Sequence, residues 1–258
     1  MIREVVNIDE GSTLEILAGF SGNCQQKDLS PRPLVLVIPG GGYGALSHGE
    51  SDPIAISFLN EGFQAAVLRY SVAPARFPTA LCQLAKAMYH IRENCEKYSV
   101  DPNMIYICGF SAGGHLAASL ATLWDRDFLE KLVGVDKDKY KPNGAVLVYP
   151  VIANHGPHHK GSFLNLLGEK YGDEELMELT SLEKQVSANT PRTFLMHTFE
   201  DTVVPIEGSL LFAKALRENG VPFEMHIYEP HNHGVCVARG TRLYGWLKTV
   251  ADWIRNVK

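Results

Sequence analysis

Ser111 lies in the run GFSAGGH, Gly109 to His115, between an apolar stretch, Met104–Cys108, and a helix-like one that begins at Leu116. A serine on a tight turn between a strand and a helix is presented as a nucleophile, with its hydroxyl held clear at the end of a sheet. The pattern G-x-S-x-G alone carries little weight in a chain with 23 glycines, so the flanking strand and helix carry the assignment. Gly109 and Gly113 stand where a side chain would collide with the facing backbone of such a turn.

A serine hydroxyl is barely ionised at neutral pH. It needs a base, and the base needs an acid to hold its tautomer. On a scaffold that presents serine this way, the acid and then the histidine follow along the chain, each in a loop after a strand. Glu200 and Asp201 follow one strand-like run, and His231 and His233 follow the next. Asp201 and His233 are the preferred pair. Asp201 is short and leads directly into Thr202–Pro205, while His233 precedes Gly234 and opens toward the last helix. Glu200 and His231 read instead as a solvated loop charge and a turn residue.

Acyl transfer also needs N–H donors for a developing oxyanion. The loop PGGGY, Pro39 to Tyr43, directly follows an apolar strand and leaves its glycine N–H groups unobstructed; Ala112, after the serine, supplies a further donor. Phosphate binding by this loop is disfavoured, because it holds no lysine and no G-x-G-x-x-G pattern with a downstream acid. Tyr43 and Tyr70 stand as tentative pocket-lining residues, with half-buried core as the competing role. His115, one turn into the helix after the serine, reads as packing against the glycine loop. His155, His158 and His159, in HGPHH, lack a partner carboxylate at ligand spacing and read as loop residues, so neither a metal nor a cofactor is expected.

Short β-branched runs must place these residues. Strands are predicted at Pro33–Ile38, Gln64–Leu68, Met104–Cys108, Ala145–Tyr149, Thr193–His197 and Phe223–Tyr228, several apolar nearly throughout as parallel strands covered on both faces should be. Helical spacing fills the gaps, at Leu81 to Cys95, Leu116 to Leu123, Leu211 to Leu216 and Leu243 to Val257. Ser51-Asp52-Pro53 opens one helix and Asn219 to Pro222 closes another. Arg3 to Leu17 predicts an antiparallel edge hairpin turning near Glu10-Gly11. The fold class is therefore α/β, a doubly wound, mostly parallel sheet with helices on both faces. Residues 1–258 form one domain, with the irregular stretch from Val151 to Pro191 as a small cap over the site.

The 258 residues are 45% apolar and 21% charged, enough to bury a large core, and the net charge of -5 gives no basic footprint for nucleic acid or acidic membranes. The first residues lack the apolar core of a signal peptide, and no run approaches the roughly 18 apolar residues of a membrane span. Five scattered cysteines without C-x-x-C spacing fit free thiols in a reducing compartment, so a cytoplasmic protein is expected.

The blocks PGGGY, LRYSVAPARFPTAL (Leu68 to Leu81), DPNMIYICGFSAGGHLAA (Asp101 to Ala118) and EDTVVPIEGSLLFAKALRENGVPFEMHIYEPHNHG (Glu200 to Gly234) together resemble α/β-hydrolase serine esterases of the bacterial acetyl xylan esterase and small acetylesterase group. The resemblance implies Ser111 as nucleophile, His233 as base, Asp201 as orienting acid, and the N–H groups of Gly41, Gly42 and Ala112 as the oxyanion hole. Where this chain has Pro39, many members of that group have a histidine that props the loop and does no chemistry. Hydrolysis of short-chain acyl esters, above all O-acetyl groups on sugars or xylo-oligosaccharides, is the expected activity. The partner is then a small ester substrate, and homo-oligomerisation is left open. An arylformamidase-like amidase, a prolyl-oligopeptidase-like peptidase and a ligand-binding module on a hydrolase scaffold are the alternatives.

Overall fold

The computed structural model describes residues 2–18 and 31–256, so Cys24 and Val257 lie outside the described residues. Eight strands, β1 (Ile2–Asp9), β2 (Ser12–Ala18), β3 (Arg32–Ile38), β4 (Gln64–Arg69), β5 (Val100–Phe110), β6 (Gly144–Val148), β7 (Thr193–Thr198) and β8 (Phe223–Tyr228), form one sheet in the order β1-β2-β4-β3-β5-β6-β7-β8. The β1–β2 hairpin turns at Glu10-Gly11 and joins the sheet antiparallel to β4; every other pairing is parallel.

Alternation along the central strands divides the apolar residues between two layers. Leu34, Leu36 and Ile38 face the layer built by α2 (Thr79–Glu93), α4 (Ser111–Leu123), α5 (Asp127–Val133) and α8 (Glu207–Glu218). Val35 and Val37 face the layer of α1 (Asp52–Asn60) and α9 (Trp246–Arg255). The short α3 (Cys95–Tyr98) ends at Ser99 and leads into β5, while α6 (Lys160–Leu167) and α7 (Glu174–Leu179) belong to the irregular segment between β6 and β7. That segment is sewn into the first layer by Phe163, Leu166, Leu167 and Leu182.

β5 and the start of α1 depart from the sequence pattern, and the last helix begins at Trp246, three residues after Leu243. β5 begins at Val100, four residues before the apolar run, with a shift of register between Arg32 and Leu34 on its neighbour, where Asp101 accepts the N–H of Asn103 around Pro102. At α1, Pro53 occupies the first turn as expected, but the Ser51 hydroxyl donates to the carbonyl of Ser47 and caps nothing.

Because β3, β5, β7 and β8 run parallel, the loops after them all emerge at one edge, the carboxyl end of the sheet. The glycine loop follows β3, Ser111 follows β5, Asp201 follows β7 and His233 follows β8. The turn into α4 is the tightest of these junctions. A Cβ on Gly113 would lie 2.2 Å from the carbonyl oxygen of Ile38 and 2.4 Å from that of Pro39. Gly113→Ala should therefore force β3 and α4 apart and cost about 3 kcal/mol or more, an overpacking penalty without a flexible neighbour to absorb it. Urea unfolding of the variant checks this, and an unshifted midpoint would contradict the close packing.

Candidate active site

Ser111 has φ 54°, a left-handed conformation that a residue with a Cβ rarely adopts, and its carbonyl oxygen accepts the N–H of Val151 at 3.0 Å. The turn thereby points its hydroxyl out of the strand toward the β8 loop. His233 Nε2 lies 2.8 Å from Ser111 Oγ, and His233 Nδ1 lies 2.6 Å from Asp201 Oδ2. Serine, histidine and aspartate, 122 and 32 residues apart along the chain, are thus brought into one hydrogen-bonded line.

The protons on that line follow from Asp201. Burial pushes its carboxyl pKa up, but hydrogen bonds from His197, His233 and the N–H of Val204 outweigh this and hold it well below the usual carboxylate range. As an ionised, acceptor-only group it requires Nδ1 of His233 to carry the proton, which leaves the Nε2 lone pair to accept from the Ser111 hydroxyl. Oδ1 is taken by the N–H groups of Val203 and Val204, both at 2.9 Å. His197, fully buried at the end of β7, donates from Nε2 to the Val204 carbonyl at 3.0 Å, with Asp201 Oδ2 at 3.4 Å, and its Nδ1 accepts from Ser209. Asn232 ties the two loops together, since its Oδ1 accepts the N–H groups of His233 and Thr202.

Glu200 and His231 occupy the turn between these loops. The exposed Glu200 carboxylate accepts the N–H of His231, which sits at φ 84°, so both do backbone work away from Ser111.

In the glycine loop Gly41 adopts φ 124°, and a Cβ there would lie 2.2 Å from the carbonyl of Ala45, so only glycine fits. The Gly41 carbonyl accepts the N–H groups of Gly44 and Ala45, and the Gly42 carbonyl accepts from the Asn165 amide of α6. Gly40 donates its N–H to the buried Glu50 carboxylate at 2.9 Å. Among the described residues the N–H groups of Gly41 and Gly42 meet no protein acceptor, and that of Ala112, in the first turn of α4, has none within its helix. The root of this loop abuts the serine, since a Cβ on Gly40 would lie 2.8 Å from Ser111 Cβ.

Tyr43 and Tyr70 are corrected as pocket-lining residues. They are 3% and 2% exposed, their rings meet edge to face, and their hydroxyls bond His115 Nδ1 and the Pro39 carbonyl. Both support the loop from beneath, Tyr70 at the residue where the resemblance leads one to expect histidine. His115 is buried between Tyr43 and the segment linking β6 to β7, with Nε2 2.9 Å from the carbonyl of Thr180.

The HGPHH histidines separate. His155 does meet a carboxylate, Glu183 from the far end of the same segment, at 2.8 Å; His158 turns back on the carbonyl of Gly156. His159 caps α6, accepting the N–H of Ser162 on Nδ1, and its Cε1 lies 3.8 Å from where a Gly42 Cβ would be. Since an amide N–H can only donate, the neutral ring carries its proton on Nε2, which lies 3.8 Å from where a Gly161 Cβ would be. Among the described residues no group of three or more His, Cys, Asp or Glu is gathered as a metal ion would require. Nor is any helix there long and apolar enough to cross a membrane.

Glu50, Tyr149, His197 and Asn232 escape a reading by sequence. Only His197, a lone histidine in an apolar strand four residues before Asp201, leaves a local sign.

The BD-FAE family model matches residues 23–216, and the chain belongs to that family of α/β hydrolases. It is 40% identical over 219 residues, 83% of its length, to Endo-1,4-beta-xylanase B of Butyrivibrio fibrisolvens, and 26% identical over 86% of its length to an acetylxylan esterase of Xylanibacter ruminicola. It spans 34% and 45% of those two relatives. The structure is similar to the acetyl ester-xyloside bifunctional hydrolase of Caldicellulosiruptor lactoaceticus, with a TM-score of 0.82 and 35% identity, covering 95% of this chain and 87% of that one. The sheet, with its antiparallel N-terminal hairpin, is that of the α/β hydrolases.

Burial holds the pKa of His115 down to about 4, against a gain from the Thr180 carbonyl and the charge of Glu183. The unfolded chain takes up this proton near 6.5 and the folded protein does not, so the stability is fully present above pH 6.5 and drains away as pH falls toward 4. The loss is on the order of 3 kcal/mol across that window. Urea unfolding of wild type and His115→Gln between pH 7 and pH 4.5 should show a shallower decline in the variant; parallel declines would remove His115 as the cause.

Proposed function

We propose that this member of the BD-FAE family is a serine carboxylesterase that removes short acyl groups, O-acetyl above all, from sugars or xylo-oligosaccharides. The observation that carries the proposal is the line from Ser111 Oγ through His233 to Asp201, at 2.8 and 2.6 Å. In this mechanism Ser111 attacks the ester carbonyl while His233 Nε2 takes its proton. Asp201 stabilises the imidazolium, and the N–H groups of Gly41, Gly42 and Ala112 receive the oxyanion. Collapse expels the alcohol, which is protonated by His233, and leaves an acyl-enzyme on Ser111. Water then repeats the sequence, with His233 again as base.

The substrate half of the proposal draws on the relatives, one named as an acetylxylan esterase and another as an acetyl ester-xyloside hydrolase. We take the chain as one catalytic domain with residues 151–191 as its cap. We place it in the cytoplasm, where the free thiols of Cys82, Cys95, Cys108 and Cys236 would remain reduced.

Ser111→Ala should abolish labelling by a fluorophosphonate and nearly all ester hydrolysis. Asp201→Asn should lower kcat by on the order of 10⁴-fold while keeping the geometry, because the amide favours the wrong imidazole tautomer. Retention of more than roughly a tenth of the activity by Ser111→Ala would defeat the nucleophile assignment.

Acyl length tests the substrate class. The cap is packed into the core through Phe163, Leu166 and Leu182, so a longer chain gains little of the roughly 0.8 kcal/mol per buried methylene. On 4-nitrophenyl esters kcat/KM should peak at acetyl or propionyl and fall at least about tenfold by octanoyl. A rise through octanoyl would point to a lipase-like tunnel instead.

A further inference from the structure

Glu50 is a buried carboxylate, 4% exposed, that belongs to none of the groups proposed to handle the substrate. Its two oxygens hold two different parts of the site. Oε2 accepts the N–H of Gly40, at the root of the glycine loop, and Oε1 accepts the hydroxyl of Tyr149, both at 2.9 Å. The Tyr149 oxygen in turn accepts the N–H of Cys236 at 3.2 Å, three residues beyond His233, and the Tyr149 ring meets the His233 imidazole edge to face at 4.7 Å.

We infer that Glu50 and Tyr149 form a brace that sets the oxyanion loop and the histidine loop in register with each other, and that both are positioning residues for the proposed ester hydrolysis. The inference rests on that hydrolase reading.

Both ends of the brace need holding. The glycine loop turns through two successive positive φ angles, 124° at Gly41 and 63° at Gly42, and continues through Tyr43 at 57°. The segment after β8 carries three left-handed residues with side chains, His231 at 84°, Cys236 at 49° and Ala238 at 57°. Conformations of this kind persist only where the surroundings over-determine them. The Cys236 end is fixed twice, by Tyr149 and by the Trp246 indole, which donates to the Cys236 carbonyl at 2.9 Å. Tyr149 is itself strained, at φ 36°, with its N–H on the Met196 carbonyl. Its backbone is thus tied to β7, whose end leads to Asp201.

The chemistry of the junction explains why a carboxylate stands there. The Gly40 N–H can only donate. The Tyr149 oxygen already accepts from Cys236, so its hydroxyl hydrogen must also be donated. Two acceptors are required in one buried place, and an ionised carboxylate supplies both, whereas a glutamine supplies one acceptor and one donor. Glu50→Gln therefore strands one end of the brace while preserving shape, and Tyr149→Phe cuts the link while keeping the ring against His233.

The test measures kcat and KM for 4-nitrophenyl acetate in wild type, Glu50→Gln, Tyr149→Phe and the double variant, with kcat referred to sites titrated by a fluorophosphonate so that misfolded protein does not count. Each single substitution should lower kcat by about tenfold to a hundredfold, the scale of a sub-ångström misplacement of reacting groups, with KM moving less than about threefold. The double variant should be no worse than about twofold below the poorer single one, because the two residues act through one connection. A purely structural role would lower the titratable fraction and leave kcat per site intact, and independent roles would multiply; either result overturns the brace. Tyr149→Phe carries the test alone if Glu50→Gln does not fold. Wild type that neither hydrolyses the ester nor takes the label would overturn the hydrolase reading and the brace with it, whereas active wild type with unchanged variants overturns the brace only.

Discussion

A left-handed serine at the end of β5 costs about 1–3 kcal/mol relative to an ordinary backbone conformation, and the surroundings must leave it no alternative. They do so by close approach. Gly113 lies against the carbonyls of Ile38 and Pro39, Gly114 against Pro150, and every residue of α4 is buried. The ends of β3, β5 and β6 are thereby locked to the start of one helix. The glycine loop arrives beside Ser111 as a consequence: a Cβ on Gly40 would touch Ser111 Cβ at 2.8 Å. The turn that presents the hydroxyl is also the contact that seats the glycine loop next to it.

Two buried carboxylates sit on either side of this junction and are stabilised in the same way, by donors on both oxygens, yet their partners differ in kind. Asp201 faces imidazoles, and the one at 2.6 Å belongs to a histidine that also reaches Ser111. Glu50 faces an amide N–H and a phenol. The Tyr149 phenol is held well above its usual range by burial and by the charge of Glu50, so no proton moves there. A buried charge lacking such donors would cost several kcal/mol, which explains why the surrounding groups are so fully committed. The contrast separates a carboxylate that faces an imidazole from one that joins two loops.

What the sequence displays and what it conceals follow from the range of the forces involved. Apolar strands such as Leu34–Ile38 and the spacing of Leu116 and Leu120 announce themselves, because burial acts on every turn and every second residue. The GFSAGGH turn is equally local, and the order of Asp201 and His233 after it follows from strand-to-loop connectivity. Glu50 and Tyr149, by contrast, are 99 residues apart and meet only across the folded sheet. Asn232 looks like one polar residue among several in its loop until Thr202 is brought to it. Tyr43 and Tyr70 mislead for a related reason: a tyrosine at a strand end can face a pocket or support a loop, and only the positions of His115 and the Pro39 carbonyl decide. His155 likewise lacks a nearby carboxylate in sequence and finds Glu183 in space.

The segment from Val151 to Pro191 completes the same pattern. Its composition shows only an irregular stretch with two helical fragments, but in the fold it is bound at three kinds of place. Thr180 accepts from the buried His115, Asn165 donates to the Gly42 carbonyl, and the Leu166 carbonyl accepts the N–H of Phe77. Each bond contributes about 1 kcal/mol in net terms, and more is lost when a buried partner is stranded. Lifting the segment would break all three at once and expose Phe163 and Leu182, which lie in the core. The place of this segment in the fold is therefore set partly by a contact with the glycine loop itself, the bond from Asn165 to the Gly42 carbonyl.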